Sequence, residues 1–268
     1  MLKNTQNLLD IMARLRDPEQ GCPWDLRQDF ATLIPYLIEE AYEVVDAIER
    51  NDMDDLRSEL GDLLLQVVFH SQLAKERGLF DFEQVSASIS DKLIRRHPHV
   101  FADAVFETDA ERQEAWEQAK AEERRAKETS EKPVSVLAGV AGSLPALLEC
   151  EKIQDRAAQH GFDWPDAPPV FDKVMEELEE VREAWQSGDQ YHIREEIGDL
   201  LLVVVNLARH LDVNAEQALK ESTKKFSRRF NYIEQQVASS GRNLTDCDLY
   251  ELDAFWHEAK QVLKRKSD

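Results

Sequence analysis

The feature that most constrains this chain is that it repeats itself. The segment LIEEAYEVVDAI (Leu37 to Ile48) matches MEELEEVREAW (Met175 to Trp185), and LRSELGDLLLQVVFHSQLA (Leu56 to Ala74) matches IREEIGDLLLVVVNLARHL (Ile193 to Leu211). Glu43 and Glu59 are 16 residues apart, and so are Glu180 and Glu196. DKLIRRHPHVF (Asp91 to Phe101) pairs with KKFSRRFNYI (Lys224 to Ile233), and the Trp116 segment WEQAK pairs with the Trp256 segment WHEAK. The upstream loops echo each other as well, Gly21-Cys-Pro-Trp24 against Gly161-Phe-Asp-Trp164. The chain therefore reads as two copies of one unit, residues 1–125 and 145–268. A linker spans 126–144, where the charged run EERRAKETSEKP ends at Pro133.

Apolar residues recur at helical spacing over Leu33 to Glu49, Asp54 to Arg77, Phe82 to Arg96 and Ala110 to Lys127. In the second copy they do so over Val170 to Ser187, Tyr191 to Leu211, Ala215 to Ser239 and Asp248 to Lys264. Asn51-Asp52 and Ser187-Gly188 supply turns, Gly78 ends a helix and Asp81 caps the next. No stretch alternates with period two. The expectation is an all-α fold of two tandem units, each with a four- to five-helix core.

The net charge of -21 repels polyanions over the whole surface, which argues against binding to a nucleic-acid polymer or an anionic membrane. A small phosphate ligand stays compatible, because a bound cation inverts the local field. Cys22, Cys150 and Cys247 are widely spaced and odd in number, so they form neither a disulfide framework nor a zinc motif, and a reducing cytoplasm fits best. The amphipathic N-terminus lacks the apolar core of a signal peptide, and the run from Leu200 to Val205 is too short to cross a bilayer.

The chemistry concentrates on the first two long helices of each copy. Glu39, Glu40 and Glu43 share one helix face, and Glu59 and Asp62 share another. A short turn folds the two helices antiparallel, so the faces meet. Glu176, Glu177 and Glu180, then Glu196 and Asp199, repeat the arrangement. Carboxylates at close range repel one another unless something positive sits among them. An all-oxygen donor set selects Mg²⁺, with Mn²⁺ as a substitute, over zinc or copper. A di-iron bundle requires Glu-x-x-His, and no Glu here has a His three residues later. Glu-Glu-x-x-Glu alone is ordinarily a solvated face. Its recurrence beside Gly-Asp-Leu-Leu-Leu in both copies argues for a metal site.

With these residues in view, the chain resembles the MazG family of nucleoside triphosphate pyrophosphohydrolases, whose metal signature is Glu-Glu-x-x-Glu followed by Glu-x-x-Asp in a "GDLL" helix. GCPWD (Gly21 to Asp25), RRHPHVF (Arg95 to Phe101) and SLPAL (Ser143 to Leu147) are similar to its longer, two-domain bacterial members. The resemblance implies a homodimer and Mg²⁺-dependent cleavage of NTPs and dNTPs between the α- and β-phosphates, in nucleotide-pool control or house-cleaning. It implies metal ligation by Glu177, Glu180, Glu196 and Asp199, with Glu40, Glu43, Glu59 and Asp62 as the first-copy equivalents. It also implies substrate contacts from Lys173, Glu177, Arg194, Glu195, Lys225, Arg228, Arg229 and Trp256. Either Glu176 or Glu177 would accept the proton of the attacking water.

The copies differ around their carboxylates. Lys173 aligns with Tyr36, Asn206 with Phe69 and Lys224 with Asp91. Asn206 joins the substrate contacts for that reason, and residues 145–268 are expected to be the main catalytic unit. Trp24 and Trp164 read as loop anchors, and His97 and His99 as structural or surface residues. Two other readings remain: a related all-α phosphohydrolase of narrower range, acting on dUTP-, histidine-pathway or alarmone-type substrates, and a non-enzymatic helical adaptor with acidic grooves.

Overall fold

A computed structural model of the chain describes residues 3–126 and 135–264, and every regular element among them is helical. The chain divides into two compact units, Met1–Thr129 and Ser130–Asp268. Of the expected 126–144 linker, residues 127–134, with Pro133, lie outside the described residues, and 135–144 form turns. No helix among the described residues is long and apolar enough to cross a membrane.

Unit 1 contains α1 (Lys3–Leu15), the single turn α2 (Pro23–Leu26), α3 (Ile34–Glu49), α4 (Met53–Glu76), α5 (Phe82–Arg96), the single turn α6 (Pro98–Phe101) and α7 (Asp109–Ala126). The antiparallel pair α3–α4 is its spine, with α1 and α5 packed on α4 and α7 on α5. Met12, Leu33, Val68, Phe69 and Leu73 form the core, and Leu8, Leu9, Phe30, Leu65 and Phe82 close around it. Unit 2 repeats the plan with α8 (Ala146–Ala158), α9 (Ala167–Ser187), α10 (Gln190–His210), α11 (Ala215–Ser239), a 3-10 turn (Leu244–Asp246) and α12 (Leu249–Lys264). Here α9 packs along α10, α8 on α10 and α11, and α11 on α12.

The long helices fall where the apolar spacing placed them. The exceptions are α1, α8 and the short turns. Helix α8 has no close sequence counterpart in the first copy, yet it occupies the role of α1, covering the second helix of the hairpin.

The helix ends follow local chemistry. Asp52 accepts from the Asp55 amide at 3.1 Å to start α4, and Asp189 accepts from the Tyr191 amide at 2.9 Å to start α10. Asp81 and Gln84 form a reciprocal capping box on α5. The two hairpin turns differ. Unit 2 uses Gly188 in the left-handed region at φ 74°. Unit 1 uses Asn51 at φ 55°, beside Arg50, which pairs with Asp46, Asp52 and Asp55.

The loop before each hairpin is tied to the far end of the hairpin's second helix. In unit 1 the shielded Arg16 pairs with Glu76 at 2.6 Å and also donates to the Asp25 carbonyl. In unit 2 Asp163 accepts from Arg209 at 2.5 Å and lies 3.1 Å from His210. Gly21 permits the first loop's tight turn, since a Cβ there would meet the Asp17 carbonyl oxygen at 2.4 Å.

Helix α7 is fastened to α5 by one carboxylate. Glu123 accepts from Arg96 at 2.5 Å and from Arg95 at 2.6 Å. Hydrogen bonds from Arg96, then Arg95, hold its carboxyl down at about 2, against an ordinary 4.5. That stabilisation is fully present above the unfolded value and is lost as pH falls through 4.5 toward 2. Denaturant unfolding of wild type and Glu123→Gln should therefore show a stability gap near neutral pH that narrows steadily on the acid side of 4.5.

Candidate metal and nucleotide site

In each unit the hairpin turns two acidic faces toward each other. Glu177 from α9 meets Glu196 and Asp199 from α10, with one oxygen from each within 4.8 Å of the others. In unit 1 the corresponding group is Glu40 and Glu43 from α3 with Glu59 from α4, inside the same limit. The fourth carboxylate lies just beside each group. Glu180 is close enough to Glu177 and Glu196 for their charges to act on it, and Asp62 stands in the same relation to Glu40 and Glu59. Burial, then neighbouring negative charge, pushes the carboxyls of Glu180, Glu40 and Glu59 up.

The two clusters differ in how their charge is answered. Lys173 stands one turn before Glu177 and donates to Glu177 Oε1 and Glu176 Oε1, each at 2.8 Å. Those carboxylates raise the lysine well above its usual value. Glu177 is only 5% exposed, and its second oxygen, Oε2, is buried without a hydrogen-bond partner. An unpartnered buried carboxylate oxygen is expensive, and here it belongs to a residue whose neighbours are two further carboxylates. This is the donor set a hard divalent cation takes: carboxylate oxygens from two rigid helices, one of them unpartnered. In unit 1 Tyr36 stands where Lys173 does and packs edge-on against Trp24, with ring centres 5.8 Å apart.

Other expected site residues fall into two groups. Asn206 lies on α10, seven residues beyond Asp199, and its Oδ1 is buried without a partner. Phe69, its unit 1 counterpart, is sealed in the core. Arg194 and Glu195 are exposed on the first turns of α10, and Glu176 is exposed beside Lys173. The second group sits on α11 and α12. Lys225 and Arg228 are exposed, and Arg229 lies over the half-buried Trp256 ring at 5.3 Å. Phe226 also packs against Trp256, with ring centres 5.1 Å apart. Trp164 is 47% exposed, and His97 stands edge-on to Trp116 at 5.0 Å as a structural residue.

Sequence reading missed His192, whose Nε2 lies 3.1 Å from Glu196 Oε1. Its i, i+4 relation to Glu196 is the signal the sequence carries for it.

The profile of the MazG nucleotide pyrophosphohydrolase domain matches the chain twice, at residues 28–101 and 170–233, and each match contains one acidic hairpin. This chain belongs to the MazG family. It is 53% identical over 262 residues to the nucleoside triphosphate pyrophosphohydrolase of Escherichia coli (strain K12), covering 97% of this chain and 98% of that protein. It is 43% identical over 255 residues to the nucleoside triphosphate pyrophosphohydrolase/pyrophosphatase MazG of Thermotoga maritima, covering 95% of each. Both MazG relatives thus align along nearly the full tandem chain.

The orphaned oxygen of Glu177 sets a test. Divalent-cation binding should raise the thermal stability of the wild-type chain, read by calorimetry. Glu177→Gln should shrink that gain while leaving the unit 1 contribution in place. An undiminished gain would place cation binding elsewhere.

Proposed function

We propose that unit 2 hydrolyses nucleoside triphosphates, ribo and deoxy, to nucleoside monophosphate and pyrophosphate with Mg²⁺, Mn²⁺ being a substitute. The observation that carries this reading is the buried, half-unpartnered carboxylate of Glu177 facing Glu196 and Asp199, in a chain aligned end to end with a nucleoside triphosphate pyrophosphohydrolase. Glu177, Glu180, Glu196 and Asp199 would hold the metal. When bound, the cation neutralises triphosphate oxygens and so lowers the barrier to in-line attack.

The chain's own residues do the rest. Lys173, Lys225, Arg228 and Arg229 orient the phosphates and take up charge as pyrophosphate leaves. Glu176 or Glu177 accepts the proton of the attacking water. Glu176 is exposed and Glu177 shielded, so the two have different access to that water. Trp256, Asn206, Arg194 and Glu195 complete the nucleotide contacts. Unit 1 keeps Glu40, Glu43, Glu59 and Asp62 but has Tyr36 and Phe69 for Lys173 and Asn206. It is therefore the weaker, differently specific or chiefly structural partner. This activity serves nucleotide-pool control or house-cleaning. The strongly negative surface suits a small nucleotide rather than a nucleic-acid polymer, and three free thiols suit the cytoplasm.

The enzyme works as a homodimer in this reading. Phe171, Met175, Leu178 and Trp185 line one face of α9, and Trp185 is 70% exposed. Ile197, Leu201 and Val204, spaced i, i+4, i+7, line α10 and are exposed as well. A stripe of this size beside a helix pair needs a cover, and a second copy supplies a matching one.

Incubation of the purified chain with a panel of NTPs and dNTPs, with and without Mg²⁺, should release pyrophosphate only with the metal. Phosphate as sole inorganic product would overturn the cleavage point. Glu177→Ala should lower kcat by about 100-fold or more, and Glu40→Ala should cost far less; equal losses would contradict the asymmetry. Leu201→Glu should shift the mass measured by light scattering from dimer to monomer.

A further inference from the structure

The third long helix of each unit carries adjacent arginines, Arg95–Arg96 on α5 and Arg228–Arg229 on α11. The two pairs are equivalent by sequence register and by geometry. Arg96 lies over the Trp116 ring at 5.3 Å, and Arg229 lies over the Trp256 ring at the same 5.3 Å. They differ in what faces them.

In unit 1 Glu123 accepts from Arg95 Nη2 at 2.6 Å, from Arg96 Nη2 at 2.5 Å and from Arg96 Nε at 3.0 Å. One carboxylate takes the two-nitrogen fork of Arg96 and a single bond from Arg95, and its side chain is only 13% exposed. Carboxylate and phosphate oxygens present the same paired acceptors to such forks, so an anion held this way competes with a phosphate group. In unit 2 the residue at the same remove from the tryptophan is Leu263. Neither Arg228 nor Arg229 has a carboxylate partner among the described residues.

We propose that Glu123 is a built-in anion that occupies the arginine pair of unit 1 and excludes polyphosphate from it, making position 123 and its counterpart 263 a determinant of which unit takes the triphosphate. This rests on the reading that Arg228 and Arg229 hold phosphates in unit 2. The other two replacements act in the same direction. Tyr36 removes the cation that Lys173 provides, and Phe69 closes the polar position that Asn206 opens. Glu123 differs from both in presenting a charge of the ligand's own sign at the place where the ligand would bind.

Two complementary variants of the full chain test the proposal. Glu123→Leu installs the unit 2 residue, and Glu123→Gln keeps an oxygen acceptor while removing the charge, which guards against misfolding of the α5–α7 contact. Calorimetric titration with inorganic tripolyphosphate and Mg²⁺ should give one site per chain for wild type and a second, weaker site for a folded position 123 variant. Leu263→Glu should raise KM for ATP by about tenfold with kcat changed little, because it places an anion opposite Arg228 and Arg229. Folded position 123 variants that still bind one equivalent, a wild type that already binds two, or a Leu263→Glu enzyme with unchanged KM would each overturn the proposal. Wild type that binds no tripolyphosphate and releases no pyrophosphate would instead sink the assignment of unit 2 as the triphosphate site. A site gained in Glu123→Leu would still be read independently of that failure.

Discussion

Each unit is organised around a repulsion. Two antiparallel helices hold three carboxylates within 4.8 Å of one another, a placement that costs free energy until a positive charge answers it. The scaffold sustains it because the hairpin is fixed independently: caps start α4 and α10, a left-handed residue closes each turn, and an outer helix buries the far side. The acidic cluster does not help the helices to pair. It is imposed on a pair that forms for other reasons, which is how a fold stores binding capacity for a cation.

The duplicated scaffold then diverges through a few side chains. Lys173 answers part of the charge in unit 2, whereas in unit 1 burial and mutual repulsion raise the Glu40 and Glu59 carboxyls. Phe69 joins an apolar core where Asn206 leaves a buried oxygen unpartnered. Glu123 neutralises the unit 1 arginine pair, whereas unit 2 has Leu263 at the corresponding sequence position. The Phe69 and Glu123 changes move unit 1 toward satisfied contacts and leave polar groups of unit 2 open, whereas Lys173 answers charge in unit 2 itself. Local stability and readiness to bind a polyanion therefore trade off across the two copies of one architecture.

The apolar stripe on the acidic hairpin belongs to the same logic. Ile197, Leu201 and Val204 in unit 2 correspond to Leu60, Leu64 and Val67 in unit 1, and all six are exposed. Their recurrence in both copies makes them part of the repeated design rather than scattered surface residues. Covering them would also exclude water near the carboxylates and strengthen every charge interaction there.

Much of this was legible in the residues alone. Period-3.6 spacing located the long helices, because burial of one face is written directly into apolar positions. The constant 16-residue interval between Glu43 and Glu59, and between Glu180 and Glu196, placed acidic groups on facing helices, because a short turn leaves a hairpin little freedom. Only the tertiary structure decided which oxygens meet, since Glu180 and Asp62 stand beside their groups rather than inside them. It also decided which polar atoms are left without partners, as at Glu177 and Asn206, and that Glu123 closes on an arginine pair 27 residues upstream. Spacing along a helix is a local property that sequence carries. Partnership between side chains from separate elements depends on how those elements are packed, and no periodicity records it.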